Sequence, residues 1–138
     1  MNIHLLLDTC AILWIAGDQP IAKTARDEIA RALEADEPIF VSPISAWEIG
    51  LLASRGRISL QFAPEKWFGR FLEAPGVFLA DMSPQVLIAS SFLPGEIPRD
   101  PVDRIIAATA RENDYRVVTR DRRLLDYASS GHCRALEC

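Results

Sequence analysis

Four carboxylates stand where chemistry is possible: Asp8, Glu48, Asp103 and Asp121. Asp8 directly follows the apolar run 3–7 and precedes the apolar stretch from Thr9 to Ala16, the pattern of a strand ending and a helix beginning. Asp121 lies three residues past Val118 at a second junction of the same kind, and Asp100 and Asp103 open a helix after the loop 93–98. Taken singly, each aspartate fits a helix N-cap, because its carboxylate accepts the unpaired N–H groups of the first turn. Asp100-Pro101-Val102-Asp103 is an especially good start, with proline at the first helical position and an acid in the first turn. Glu48 is different. It sits inside a helical stretch among Trp47, Ile49, Leu51 and Leu52, and a carboxylate held away from water needs an arginine or a cation beside it. Several carboxylates, with only two histidines and three scattered cysteines, suit a hard ion such as Mg2+ or Mn2+, whose ligands are oxygens. Mg2+ takes one or two carboxylates and keeps waters. That leaves room for a phosphate oxygen and an attacking water, so the chemistry is phosphodiester hydrolysis.

A scaffold must bring residues 8, 48, 103 and 121 together. Short apolar runs at 3–7, 39–41, 77–80 and 116–118 read as strands, with an edge strand at 133–136. Helical stretches are expected at 9–16, stopped by Gly17, and at 20–35, 43–54, 64–72, 84–92, 101–113 and 122–127. Strands alternate with helices throughout, with no repeat or linker. Residues 1–138 are therefore expected to form one α/β domain, with a mostly parallel central sheet of about four to five strands and helices on both faces. In an open parallel sheet the C-terminal strand ends share one edge, where ligands bind, so Asp8 and Asp121 should approach each other there.

Composition narrows the class. With 49% apolar and 25% charged residues the chain is neither disordered nor unusually polar, and no apolar run approaches the ~20 residues of a membrane span. The N-terminus has no basic flank and an aspartate at position 8, so no signal peptide is expected; with three cysteines and no CxxC pair, a cytoplasmic protein without a disulfide framework is. The net charge of −4 disfavours a partner held by long-range attraction to phosphate. Yet without the four candidate acids, 15 acidic residues face 15 basic ones, and a bound divalent ion offsets part of the site's own charge.

At this point the residues match a known family. Leu6-Leu-Asp-Thr9, Ser45-Ala-Trp-Glu48-Ile49, Asp100-Pro-Val-Asp103-Arg-Ile-Ile-Ala-Ala-Thr-Ala110 and Val118-Thr-Arg-Asp121 resemble the PIN domain, and more narrowly the VapC-type ribonuclease toxins of bacterial toxin–antitoxin pairs. The resemblance implies a parallel sheet, an acidic pocket for Mg2+ or Mn2+, and cleavage of RNA, often tRNA or rRNA. It also implies a homodimer and a cognate antitoxin protein that covers the pocket. On it, Asp8, Glu48, Asp103 and Asp121 match the four acidic positions, and Thr9 and Thr119 match supporting hydroxyl positions. Asp100 belongs to a subgroup pattern and either extends the pocket or caps its helix.

The reading that follows gives Asp8, Asp103 and Glu48 the metal and Asp121 a water or a second metal position. Of the 15 basic residues 13 are arginines, which grip phosphate bidentately, and Arg99, Arg104, Arg120 and Arg122 flank the site in sequence. Arg122 and Arg123 also fit a solvated helix face with Asp126. Trp14, Trp47 and Trp67 are expected in the core, and His4 and His132 in a strand and a loop rather than on a metal. An aspartyl phosphatase is disfavoured by Thr9 and Cys10 where a second acid should follow Asp8. A receiver domain is disfavoured because the only lysines are Lys23 and Lys66. A catalytically silent PIN-like domain that binds protein or RNA is the remaining alternative.

Overall fold

The computed structural model describes residues 3–138. Its centre is a five-stranded sheet, all parallel, in the order β3-β2-β1-β4-β5. The strands are β1 (Leu5–Leu7), β2 (Ile39–Val41), β3 (Val77–Leu79), β4 (Arg116–Thr119) and β5 (Arg134–Glu137). Every residue of β1 is buried, as befits the middle strand of a sheet covered on both sides. Side chains alternate between the two faces. Leu5, Leu7, Val41 and Val118 pack with α1 (Thr9–Ala16), α2 (Lys23–Glu34), α3 (Pro43–Ser54) and α4 (Pro64–Leu72). Leu6 and Val117 pack with α5 (Pro84–Ala89), α6 (Pro101–Asn113) and α7 (Arg122–Ser129). The expected α/β architecture with helices on both faces is what forms, with five strands and no antiparallel pair.

Some ends move, for local reasons. α2 begins at Lys23 rather than near Pro20: Ala22 is extended (φ −58°, ψ 142°), and its N–H donates to the Cys138 carbonyl (3.1 Å). α5 stops at Ala89 instead of Phe92. The Ser90 hydroxyl donates to the Leu87 carbonyl, and the next two N–H groups reach back three residues rather than four, winding the helix down. α6 keeps its full length: Asp100 accepts from the Val102 and Asp103 N–H groups at its start, and Asp114 ends it in the left-handed conformation. The small residues Ala107, Ala108 and Ala110 let this helix lie close against the sheet.

Candidate active site

The parallel ladder decides where the acids go. Leu7 pairs with Val41 on one side and Val118 on the other, so β1, β2 and β4 end side by side. One position beyond that register stand Asp8, Ser42 and Thr119, the last residue of β4, and a helix follows each strand within three residues. α1 starts on Asp8, α3 on Ser42 and α7 on Asp121.

Asp8 is 4% exposed. Its Oδ1 accepts from the Ala11 N–H (2.8 Å), which caps α1, and its Oδ2 accepts from the Thr119 hydroxyl. Thr119, itself fully buried, accepts in turn from the Asp121 N–H (3.0 Å). Thr119 therefore ties the two aspartates of neighbouring strand ends into one hydrogen-bonded chain. Asp121 uses Oδ1 to cap α7, accepting from Arg123 and Leu124 N–H at 2.8 and 3.2 Å; Oδ2 takes no part in the cap. On the β2 side, Thr9 and Ser45 hydroxyls meet at 3.0 Å, both buried, and Thr9 also hydrogen-bonds the Glu48 carboxylate. Ser45 lies one turn before Glu48 on α3. Sequence reasoning gave it no role; the signal was a serine at i−3 in an otherwise apolar helix.

Electrostatics show that these groups share a site. Burial pushes the Asp8 carboxyl up to about 6, against its hydrogen bonds from Thr119 and Ala11, and the charges of Asp121 and Glu48 push it further. Burial likewise pushes Asp103 up to about 7, helped by Asp121, Asp100, Glu48 and Asp8. Glu48 is half-buried and raised by desolvation, opposed by the Thr9 bond, with Asp100 and Asp121 adding to the rise. Each of the four candidate acids lies within electrostatic reach of the other three, and Asp100 within reach of Glu48 and Asp103. None of the three raised carboxyls has a basic group relieving it, and no ion pair among the described residues involves any of the five acids. The arginine partner that would explain Glu48 blandly is not there. Asp100 caps α6 and also faces the acids, so its two readings coexist. Cys10, at the same edge, has its thiol pushed up to about 12 by burial and by Asp8, Glu48, Asp121 and Asp103.

Like charges gathered without a counter-cation suit a positive ligand. Among the described residues no three acidic, histidine or cysteine side chains converge as a ready-made cage. The grouped acids offer only oxygen donors, the set that suits Mg2+ or Mn2+.

The arginines divide. Arg104 donates to the Pro98 carbonyl (2.6 Å) and shapes the loop before α6. Arg120 donates to the Cys138 carbonyl (2.6 Å) and lies 3.8 Å over the Trp14 ring, holding β5's end to α1. Arg99 is exposed beside Asp100, and Arg122 faces a cavity along β5. Trp67 stacks on Phe71 as a packing residue, but Trp47 is 58% exposed, correcting its expected place in the core. It lies on the opposite side of α3 from buried Ser45 and Ile49, where no other element covers it.

A family model for the PIN domain matches residues 5–129. The chain belongs to the PIN domain family. This PIN domain is 36% identical over 124 residues to Ribonuclease VapC22 of Mycobacterium tuberculosis (strain ATCC 25618 / H37Rv), covering 90% of the chain and 91% of that relative. Among solved structures it shares its fold with VapBC2 from Rickettsia felis bound to a promoter DNA fragment (TM-score 0.70, 14% identity, 98% of each chain). PAE2754 from Pyrobaculum aerophilum has the same fold (TM-score 0.64, 17% identity, 99% of this chain and 90% of that one), as does FitAcB from Neisseria gonorrhoeae (TM-score 0.54, 19% identity, 96% of each).

Proposed function

We propose that this PIN domain is a metal-dependent endoribonuclease, the toxin of a toxin–antitoxin pair, cleaving tRNA or rRNA in the cytoplasm. The observation that carries the reading is the uncompensated group of Asp8, Glu48, Asp103 and Asp121 at the C-terminal sheet edge; the similarity to Ribonuclease VapC22 supports RNA as substrate. Asp8, Asp103 and Glu48 are the residues that would hold Mg2+ or Mn2+, some of them through water. The ion, when bound, supplies Lewis acidity and positive charge at the scissile phosphate. Thr119 fixes the Asp8 carboxylate and Thr9 the Glu48 carboxylate, so neither must reorganise when the phosphate arrives. Asp121 Oδ2, free of the cap, would orient the attacking water. Arg99, exposed and next to Asp100 in the chain, is the guanidinium left free by Arg104 and Arg120 to meet the RNA backbone.

A homodimer and an antitoxin protein complete the reading. The VapBC2 and FitAcB neighbours support a partner protein by their names. An apolar face formed by Phe78 on edge strand β3, with Leu87 and Ile88 on α5 and Phe92 just after it, supports self-association; Ile88 is 63% and Phe92 80% exposed. Incubation of purified protein with total RNA in Mn2+ or Mg2+, against EDTA and against Asp103→Asn, tests the activity. Cleavage that needs the ion and Asp103 supports it. Full binding of RNA without cleavage in every condition would instead favour the catalytically silent domain.

A further inference from the structure

The two edges of the sheet are unlike. β3 presents exposed Phe78 and Leu79, whereas β5 borders a cavity of about 800 Å³. α2 forms one wall through Glu28 and Arg31, and α7 the other through Arg122, Leu125 and Ala128. These helices lie on opposite faces of the sheet, so the cavity is a slot open along the free side of β5.

The main chain in that slot has a defined polarity. The Cys138 N–H donates to the Thr119 carbonyl at 3.0 Å, toward β4. Because successive residues of a strand turn their N–H and C=O to opposite sides, residues 134 and 136 also bond toward β4, while Ala135 and Glu137 direct theirs into the slot. Unpaired strand edges of this kind accept an added strand.

The side chains set what such a strand carries. Leu125, Ala128 and Ala135 make an apolar floor, half-buried rather than sealed. Four arginines line the slot, Arg31, Arg116, Arg122 and Arg134, against the acids Glu28 and Glu137. Glu28 is shared by Arg31 at 3.3 Å and Arg116 at 4.0 Å, and Arg134 pairs with Asp114 at 3.2 Å. Among the described residues, Arg122 has no carboxylate within ion-pair distance. Arg31 also meets Glu37 at 3.1 Å, so Arg122 is the lining arginine left to meet an incoming carboxylate. A nucleic-acid backbone would satisfy the arginines, but it brings no alternating donors and acceptors to match Ala135 and Glu137. A peptide satisfies both.

We infer that the free edge of β5 is a docking site for an extended, acidic segment of a protein partner, which adds to the sheet as a sixth strand between α2 and α7. This inference is independent of the nuclease reading, since no acid of the pocket takes part.

The test uses the full chain and an end-blocked pentapeptide, Asp-Val-Glu-Val-Asp, followed by calorimetry and by amide chemical shifts. Saturable binding is expected, with shifts and slowed exchange at Ala135 and Glu137. A peptide N-methylated at alternate amides, a Lys-Val-Lys-Val-Lys peptide, and the protein variant Arg122→Glu should each bind about tenfold more weakly or worse, the loss expected from one charge-assisted contact or more. Ala135→Pro removes an N–H that the β4 pairing does not use and should abolish binding; the N-methylated peptide gives the same readout on unaltered protein should that variant not fold. Three results overturn the inference: no binding at millimolar peptide, equal binding of the N-methylated peptide, or oligouridylate shifting the same amides and displacing the acidic peptide.

Discussion

Asp8→Asn should make the metal-free protein more stable while ending catalysis. The Asp8 carboxyl rises from 3.8 to about 6 on folding, chiefly from burial, so the folded state holds its proton more tightly than the unfolded chain. The sign follows: stability attributable to this group is highest near pH 4, falls as pH rises toward 6, and levels off above 7. The full loss corresponds to about 3 kcal/mol. Asparagine carries no charge to desolvate and still caps a helix. Its amide nitrogen cannot replace a carboxylate oxygen toward both Ala11 N–H and the Thr119 hydroxyl, so one hydrogen bond is lost, at about 1 kcal/mol. The net gain at pH 8 in EDTA is about 2 kcal/mol, a rise of roughly 6–8 °C in Tm for a domain of this size. Thermal unfolding of both proteins from pH 4 to pH 8 measures it, beside an RNA cleavage assay. A Tm that falls at pH 8, or a difference that does not shrink toward pH 4, refutes the claim that Asp8 is held under desolvation strain. Retained cleavage refutes its place in the site.

Other outcomes follow from the same geometry. Mn2+ should raise Tm, and by more at pH 8 than at pH 5, because Asp8 and Asp103 bind protons in competition with the ion below about 6 and 7; a pH-independent rise would place the ion elsewhere. Thr119→Val strips Asp8 of a donor and the Asp121 N–H of its acceptor, so it should cost about 2 kcal/mol in urea unfolding and shift the cleavage profile to higher pH. Gly95→Ala should lose about 1–3 kcal/mol: Gly95 has φ +75°, and an added Cβ would lie 2.2 Å from His132 Nε2, whose ring is backed by Tyr127 at 5.0 Å. If the apolar face of β3 and α5 pairs two copies, Phe92→Asp should move the sedimentation coefficient from dimer to monomer without changing Tm extrapolated to low concentration.

Much of this arrangement was legible beforehand because it depends on chain-local chemistry. Asp8 after an apolar run and Asp100-Pro101 before a helical one mark junctions, and parallel topology then places the junctions on one edge. Glu48 was legible as an acid without local support. What stayed hidden depends on packing between distant segments. No pattern says that Arg120 lies over Trp14 and holds Cys138, or that Arg104 serves the Pro98 carbonyl rather than facing solvent. Trp47 misled because an aromatic residue in an apolar helix reads as core, while α3 turns that side away from both core clusters. Ser45 passed unnoticed because its hydrogen-bond partner, Thr9, is 36 positions away. The early stop of α5 rests on one serine hydroxyl competing for a backbone carbonyl, a contest that periodicity does not register.

The place of β1 in the sheet has a consequence for synthesis. Asp8 leaves the ribosome well before its Thr119 partner, which follows 111 positions later. At about 5–20 residues per second, roughly 5–20 s separate the two. Throughout that interval β1 lacks its β4 neighbour, and Asp103 and Asp121 have not joined Asp8. A nascent chain therefore cannot assemble the acidic group until β4 and the residues just beyond it have emerged.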